Sequence, residues 1–153
     1  MAVSACFAVG CCMVLREKFS ASNWLPDIRK HQCTSMIYIG ELWRYLHALP
    51  ETPSDSENPM RVVAGNGLRS DIWEKVTKRF GIELVVEHYG QTEMPSAHPM
   101  LNFFNKPGSC GYIPSDFWFS DGTEKLIKYD VESDSVLRDP VTGFCVESGF
   151  DEP

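Results

Sequence analysis

The run RVVAGNGLRSDIWEKVTKRFGIELVVEHYGQTE, residues 61–93, holds a strand, a turn, a helix, a second strand and a second turn. Its reading decides the fold. Arg61, Val62, Val63 and Ala64 start a short β-branched strand. Gly65-Asn66-Gly67 turns the chain, and Ser70 can cap a helix whose apolar stripe is Ile72, Trp73, Val76 and Phe80. Gly81 closes that helix, and residues 82–87 form the next strand. That strand then meets a turn loaded with polar chemistry: His88, Tyr89, Gly90, Thr92 and Glu93.

Upstream the same alternation recurs. Residues 34–39 are β-branched and apolar, Gly40 releases the chain, and Leu42, Tyr45, Leu46 and Leu49 recur at helical spacing. A helix over 24–31 is expected with Asn23 as its cap, which puts Pro26 at the third helical position, where a missing N–H has no partner to lose. Residues 9–15 read as a short buried strand, and residues 50–59, PETPSDSENP, as a solvated loop that needs no function. Strands alternating with short helices predict an α/β fold with a parallel sheet and helices on its faces, since parallel neighbours need a crossover. In such sheets ligands bind beyond the carboxyl ends of the strands, so the 65–67 and 88–93 turns are expected along one rim. After about residue 106, glycines and prolines punctuate short extended runs, and residues 139–143 read as a hairpin connection. The expected division is 1–106 for the α/β unit and 107–153 for an antiparallel β unit.

Composition bounds the function. The 153 residues carry 21 acidic against 14 basic side chains, a net charge of −7, without a Lys/Arg-rich run, so nucleic acid is not an expected partner. Six cysteines form no CxxC pair and have no histidine at ligand spacing, which argues against a zinc site or a disulfide framework and fits a reducing compartment. The apolar opening MAVSACFAVGCCMVL has no basic lead and is shorter than the roughly 20 residues a spanning helix needs. It reads as a helix end running into a buried strand, a start expected inside a larger fold.

The two turns could carry chemistry. Tyr89 can lay a flat ring against a purine, Gly90 permits close backbone approach, and Thr92 offers a hydroxyl to a phosphate oxygen. Glu93 supplies a hard oxygen suited to Mg²⁺, and Gly65, Asn66 and Gly67 can present bare backbone to a planar base. The same residues also make an ordinary strand-to-loop turn and an ordinary tight turn before a helix, and by themselves leave both readings open.

A resemblance bears on that choice. VLREKFSAS (residues 14–22), YIGELWRYL (38–46), GNGLR with Asp71-Ile72-Trp73, RFGI (79–82), EHYGQTE (87–93) and LIKYDVESDSVLRDPVTGFC (126–145) occur in order along nearly the whole chain. Together they resemble the fatty acid transport protein and very long-chain acyl-CoA synthetase family of adenylate-forming enzymes. The resemblance implies a parallel β-α-β sheet from the N-terminal domain of such an enzyme, as a fragment, followed by part of an antiparallel β-barrel-like subdomain. It implies ATP-dependent activation of a fatty acid to an acyl-adenylate, then thioester formation with coenzyme A, linked to fatty acid uptake. Tyr89 would stack on adenine, and Gly65, Asn66, Gly67 and Gly90 would line the adenine and acyl pocket. Thr92 would touch the phosphate and Glu93 would bind Mg²⁺, these two being the expected catalytic residues. Membrane association, at the endoplasmic reticulum, peroxisome or plasma membrane with a cytosolic site, would come through segments outside this chain.

Two residues depart from the family pattern: His88 stands where an aromatic is usual, and Met94 where a glycine follows the glutamate. The phosphate loop with its lysine, the ribose-binding aspartate motif and the carboxyl-terminal catalytic lysine do not occur in these residues. The chain is therefore expected not to adenylate fatty acids alone. A noncatalytic lipid- or nucleotide-binding module and an unstable truncated product are the alternatives.

Overall fold

A computed structural model describes residues 2–90, 100–111 and 125–149. These fall in two compact units, Met1–Tyr112 and Ile113–Pro153, whereas the sequence puts the change of pattern near residue 106.

The first unit is built on a sheet of four strands in the order β1 (Ser35–Ile39), β2 (Val62–Asn66), β3 (Leu84–Tyr89) and β4 (Met100–Asn102). β1, β2 and β3 are parallel, as expected, and β4 runs antiparallel on the outer side of β3. Helix α3 (Gly40–His47) crosses from β1 to β2, and α4 (Ser70–Phe80) from β2 to β3. Because the strand order never reverses, right-handed crossovers place both helices on the same face. Among the described residues the helices cover this one face. Burial alternates accordingly: Tyr38, Val63 and Val85 are buried, while Ile37 and Ile39 are 59% and 68% exposed on the opposite face.

Helix α2 (Ala21–His31) joins the covered face. It starts at Ser20 and not at Asn23, so Pro26 is the sixth helical residue; both Pro26 and Ser22, whose carbonyl loses its partner, are exposed and open to water. One aromatic ring from each of three helices, α2, α3 and α4, meets in the core. Trp24 of α2 packs edge-on to Trp43 of α3 at 5.8 Å and to Phe80 of α4 at 5.0 Å. Tyr38 of β1 joins Trp43 at 5.4 Å, which ties this triad to the sheet. Helix α4 begins after Arg69, with Ser70 inside its first turn and making no cap bond, and Gly81 at φ +67 ends it as expected.

The strand expected at 9–15 does not form. α1 (Ala2–Val9) is a helix, Gly10 turns at φ +70, and residues 11–16 are exposed without regular structure. A strand needs a neighbour to complete its ladder, and no described strand lies beside this run; a helix satisfies its bonds within itself.

The 50–59 loop is not merely solvated. Its Asp55 is buried and accepts Arg79 Nε at 2.6 Å and the Thr52 hydroxyl at 2.5 Å. The same guanidinium donates to the carbonyls of Leu46, His47, Leu49 and Pro50, closing the carboxyl end of α3. Burial raises Asp55, but hydrogen bonds from Thr52 and Arg79 outweigh it and hold the carboxyl below its ordinary value.

In the second unit β5 (Tyr129–Asp130) and β6 (Ser135–Val136) pair antiparallel. The expected hairpin connection lies at residues 139–143, where Gly143 N–H donates to Asp139 O at 2.9 Å and Asp139 N–H to Phe144 O at 2.9 Å.

Two outcomes follow from this packing. Arg79→Leu strands the Asp55 carboxylate and four carbonyls, and is expected to destabilise the first unit by about 3–5 kcal/mol in urea unfolding; adding Asp55→Leu restores part of that loss. Because the folded Asp55 is the stronger acid, its contribution is complete above the unfolded value of about 4 and disappears as pH falls through the lower folded value; wild type and Asp55→Asn should converge only below about pH 4.

Candidate nucleotide cleft

The carboxyl ends of β1, β2 and β3 open on a cleft of about 530 Å³. Its walls come from the three strand ends and from residues 108–110. From the end of β2 and the bend after it come Asn66, Gly67 and Leu68; from β3 come Glu87, His88 and Tyr89; from the β1–α3 junction come Ile39, Gly40 and Glu41.

Of the residues singled out in the sequence, Asn66, Gly67 and Tyr89 line this one cleft. Tyr89 is the last residue of β3, 42% exposed, so its ring is accessible. Gly65 and Asn66 belong to strand β2, and the expected turn is only Gly67, at φ +82. Gly65 lies behind the wall: a side chain there would come within 2.2 Å of the Tyr38 carbonyl and 2.8 Å of its ring. Tyr38 takes up that room, and Gly65 is not among the residues that line the cleft. Gly90 stands at the strand end outside the lining, and Thr92 and Glu93 lie outside the described residues.

A further glycine shapes the cleft. A Cβ on Gly40 would lie 1.8 Å from the Gly67 carbonyl oxygen, so the helix-start of α3 and the bend after β2 touch backbone to backbone. The rule that placed ligands at strand ends applies equally to β1, and it could have marked Gly40 and Glu41 as it marked the other two turns. The 106–109 segment had no such signal. It is held by Asn102, buried on β4, whose amide donates to Lys106 O at 2.7 Å and Ser109 O at 2.8 Å.

The electrostatics are one-sided. Among the described lining residues the charged carboxylates are Glu41 and Glu87, the only other titratable groups are His88, Tyr89 and Cys110, and no Lys or Arg contributes. Glu41 is paired with Arg44 on the exposed helix surface. Glu87 is 5% exposed, accepts the Tyr38 hydroxyl, and accepts Leu68 N–H at 3.1 Å. Burial first, and this bond second, push the Tyr38 phenol above its ordinary range, so it stays a donor. Such a cleft suits a flat, neutral group against Tyr89 and bare backbone better than a phosphate chain. Among the described residues no three His, Cys, Asp or Glu side chains gather to hold a metal ion.

Gly40→Ala and Gly65→Ala each drive a methyl into backbone and should destabilise the unit by about 1–3 kcal/mol, whereas Gly90→Ala meets open space among the described residues and should leave thermal unfolding within about 0.5 kcal/mol.

Comparison with known proteins identifies the lineage. Long-chain fatty acid transport protein 2 of Rattus norvegicus is 39% identical over 144 residues, which is 93% of this chain and 22% of that protein. Human long-chain fatty acid transport protein 5 is 36% identical over 99% of this chain and 21% of its own length. A medium/long-chain-fatty-acid–CoA ligase of Mycobacterium tuberculosis is 37% identical over 91% of this chain and 22% of its length. The chain thus spans about a fifth of these curated relatives. Among solved structures, a benzoate CoA ligase from Burkholderia xenovorans superposes with a TM-score of 0.62 at 22% identity, covering 88% of this chain and 27% of that one. The luciferase-like enzyme of the mealworm Zophobas morio gives 0.58 at 20% identity, covering 71% and 28%. These two support the α/β fold. The AMP-binding enzyme family matches residues 1–130. With that match over most of its length, and a parallel sheet whose carboxyl edge forms the cleft, the chain belongs to the AMP-binding enzyme family.

Proposed function

We propose that this chain is the adenine-binding part of a fatty-acid-activating, AMP-forming acyl-CoA synthetase. The observation that carries the reading is the meeting of Asn66, Gly67 and Tyr89 in one cleft at the carboxyl edge of the sheet, in a chain of this family. In the complete enzyme a fatty acid carboxylate attacks the α-phosphorus of ATP and pyrophosphate leaves. The thiol of coenzyme A then attacks the acyl carbonyl and AMP leaves. Neither step needs a protein nucleophile; both need placement and charge neutralisation.

In this reading the described residues hold the base. Tyr89 stacks on adenine, and the Asn66 and Gly67 backbone meets the ring edge. In this reading Thr92 and Glu93, two and three residues past Gly90 in the sequence, take the phosphate and Mg²⁺. The long-chain fatty acid as acyl substrate rests on the names of the transport-protein and ligase relatives. No helix among the described residues is long and apolar enough to cross a membrane. In this reading any membrane association comes through segments outside this chain, with a cytosolic site.

The absence of a cation from the described cleft lining favours a second property: this chain alone binds the nucleotide without turning it over. Isothermal titration of the purified chain with AMP tests the first reading. Saturable binding is expected, weakened about 5- to 100-fold in Tyr89→Ala, as loss of one base-stacking contact requires. Absence of AMP binding overturns the proposed function, and oleate-dependent pyrophosphate release from ATP by the isolated chain overturns its inactivity.

A further inference from the structure

We infer that Glu87 is the positioning residue of the nucleotide cleft, holding the Asn66–Gly67 bend against the strand that carries Tyr89. The inference rests on the nucleotide reading of the cleft and adds a residue to which the resemblance assigned no role.

The parallel register sets Tyr38 of β1 opposite Gly65 of β2, and Gly65 opposite Glu87 of β3. These three residues form one row across three strands, on the helix-covered face. Any side chain at the middle position would stand between the outer two, and the Tyr38 ring passes within what would be van der Waals contact of a Gly65 Cβ. With glycine there, the Tyr38 hydroxyl crosses β2 and donates to one oxygen of Glu87. Glu87's other oxygen accepts the Leu68 amide proton, the first one past the bend.

A carboxylate with so little exposure is costly unless its lone pairs are filled, and no Lys or Arg among the described residues pairs with it. A side chain needed only for volume would be apolar at this position. What a carboxylate adds is an acceptor that takes two donors from two different elements at once. It fastens the bend from the β3 side while Gly40 closes it from the β1 side. The bend cannot seek other partners easily: Leu68 is 5% exposed, so its N–H without Glu87 would be left in a dry site. Relief requires the bend to move, and Asn66 and Gly67 then leave their station opposite Tyr89. In this arrangement Glu87 acts through Leu68.

The test compares Glu87→Gln, which keeps an acceptor for Leu68, with Glu87→Leu, which keeps the volume and removes it. AMP affinity is measured by titration, and Leu68 amide exchange by NMR, both well below each variant's melting temperature. Glu87→Gln is expected within about threefold of wild type on both readouts, while Glu87→Leu weakens AMP binding and speeds Leu68 exchange by about 10- to 100-fold. Val76→Ala, a core change away from the cleft, loses comparable stability yet keeps AMP affinity, which separates positioning from general destabilisation. Wild-type AMP affinity and Leu68 protection in a folded Glu87→Leu overturn the proposal. If that variant does not fold, the wild-type chain decides: a Leu68 amide as unprotected as an exposed one overturns it, and protection with Glu87→Gln near wild type supports it. If wild type binds no AMP, the nucleotide reading fails by itself, and the Leu68 exchange comparison still decides whether Glu87 holds the bend.

Discussion

Backbone touching backbone at the carboxyl edge of the sheet is the constraint on which the cleft depends. Where α3 leaves β1, Gly40 lies so close to the Gly67 carbonyl that no Cβ fits between them. This contact draws the β1 and β2 exits together and leaves the third exit, at Tyr89, to form the far wall. The opening is therefore framed by main chain on one side and by an aromatic ring on the other. That combination suits a flat base, since exposed peptide groups offer donors and acceptors at the ring edge while the ring face finds Tyr89.

Beneath the edge, stability comes from a small core with large rings. Trp24, Trp43 and Phe80 bring three helices to one point, and Tyr38 ties them to the sheet. Arg79 does the corresponding polar work, since one guanidinium meets Asp55 and the end of α3. A planar group with five donors is suited to such convergence in a way that an ammonium is not. Among the described residues the opposite face of the sheet keeps Ile37 and Ile39 exposed, because crossovers of one hand along an unreversed strand order put α3 and α4 on the same side.

The charge pattern of the cleft is one-sided. Two carboxylates and no cation among the described lining residues make this part of the rim a poor host for phosphates, and Glu87 is already committed to protein donors. A base enters such a place without electrostatic penalty.

Periodicity alone determined the parallel α/β plan: the stripe Ile72, Trp73, Val76 and Phe80, the stop at Gly81 and the β-branched runs on either side fix strand and helix locally, without reference to distant residues. It also put two turns on one rim, since consecutive parallel strands point the same way. It failed where partners decide. Residues 9–15 are as apolar as any strand here, but a strand exists only beside another, and none of the described strands adjoins them. Asp55 looked solvated because its neighbours in sequence are polar, while its real partner, Arg79, is 24 residues away. Gly65 looked like part of a turn, yet it lies within β2, and its missing side chain makes way for Tyr38 to reach Glu87. Only the tertiary register, which sets residues 38, 65 and 87 side by side, decided that, because a row across three strands joins positions that no local pattern connects.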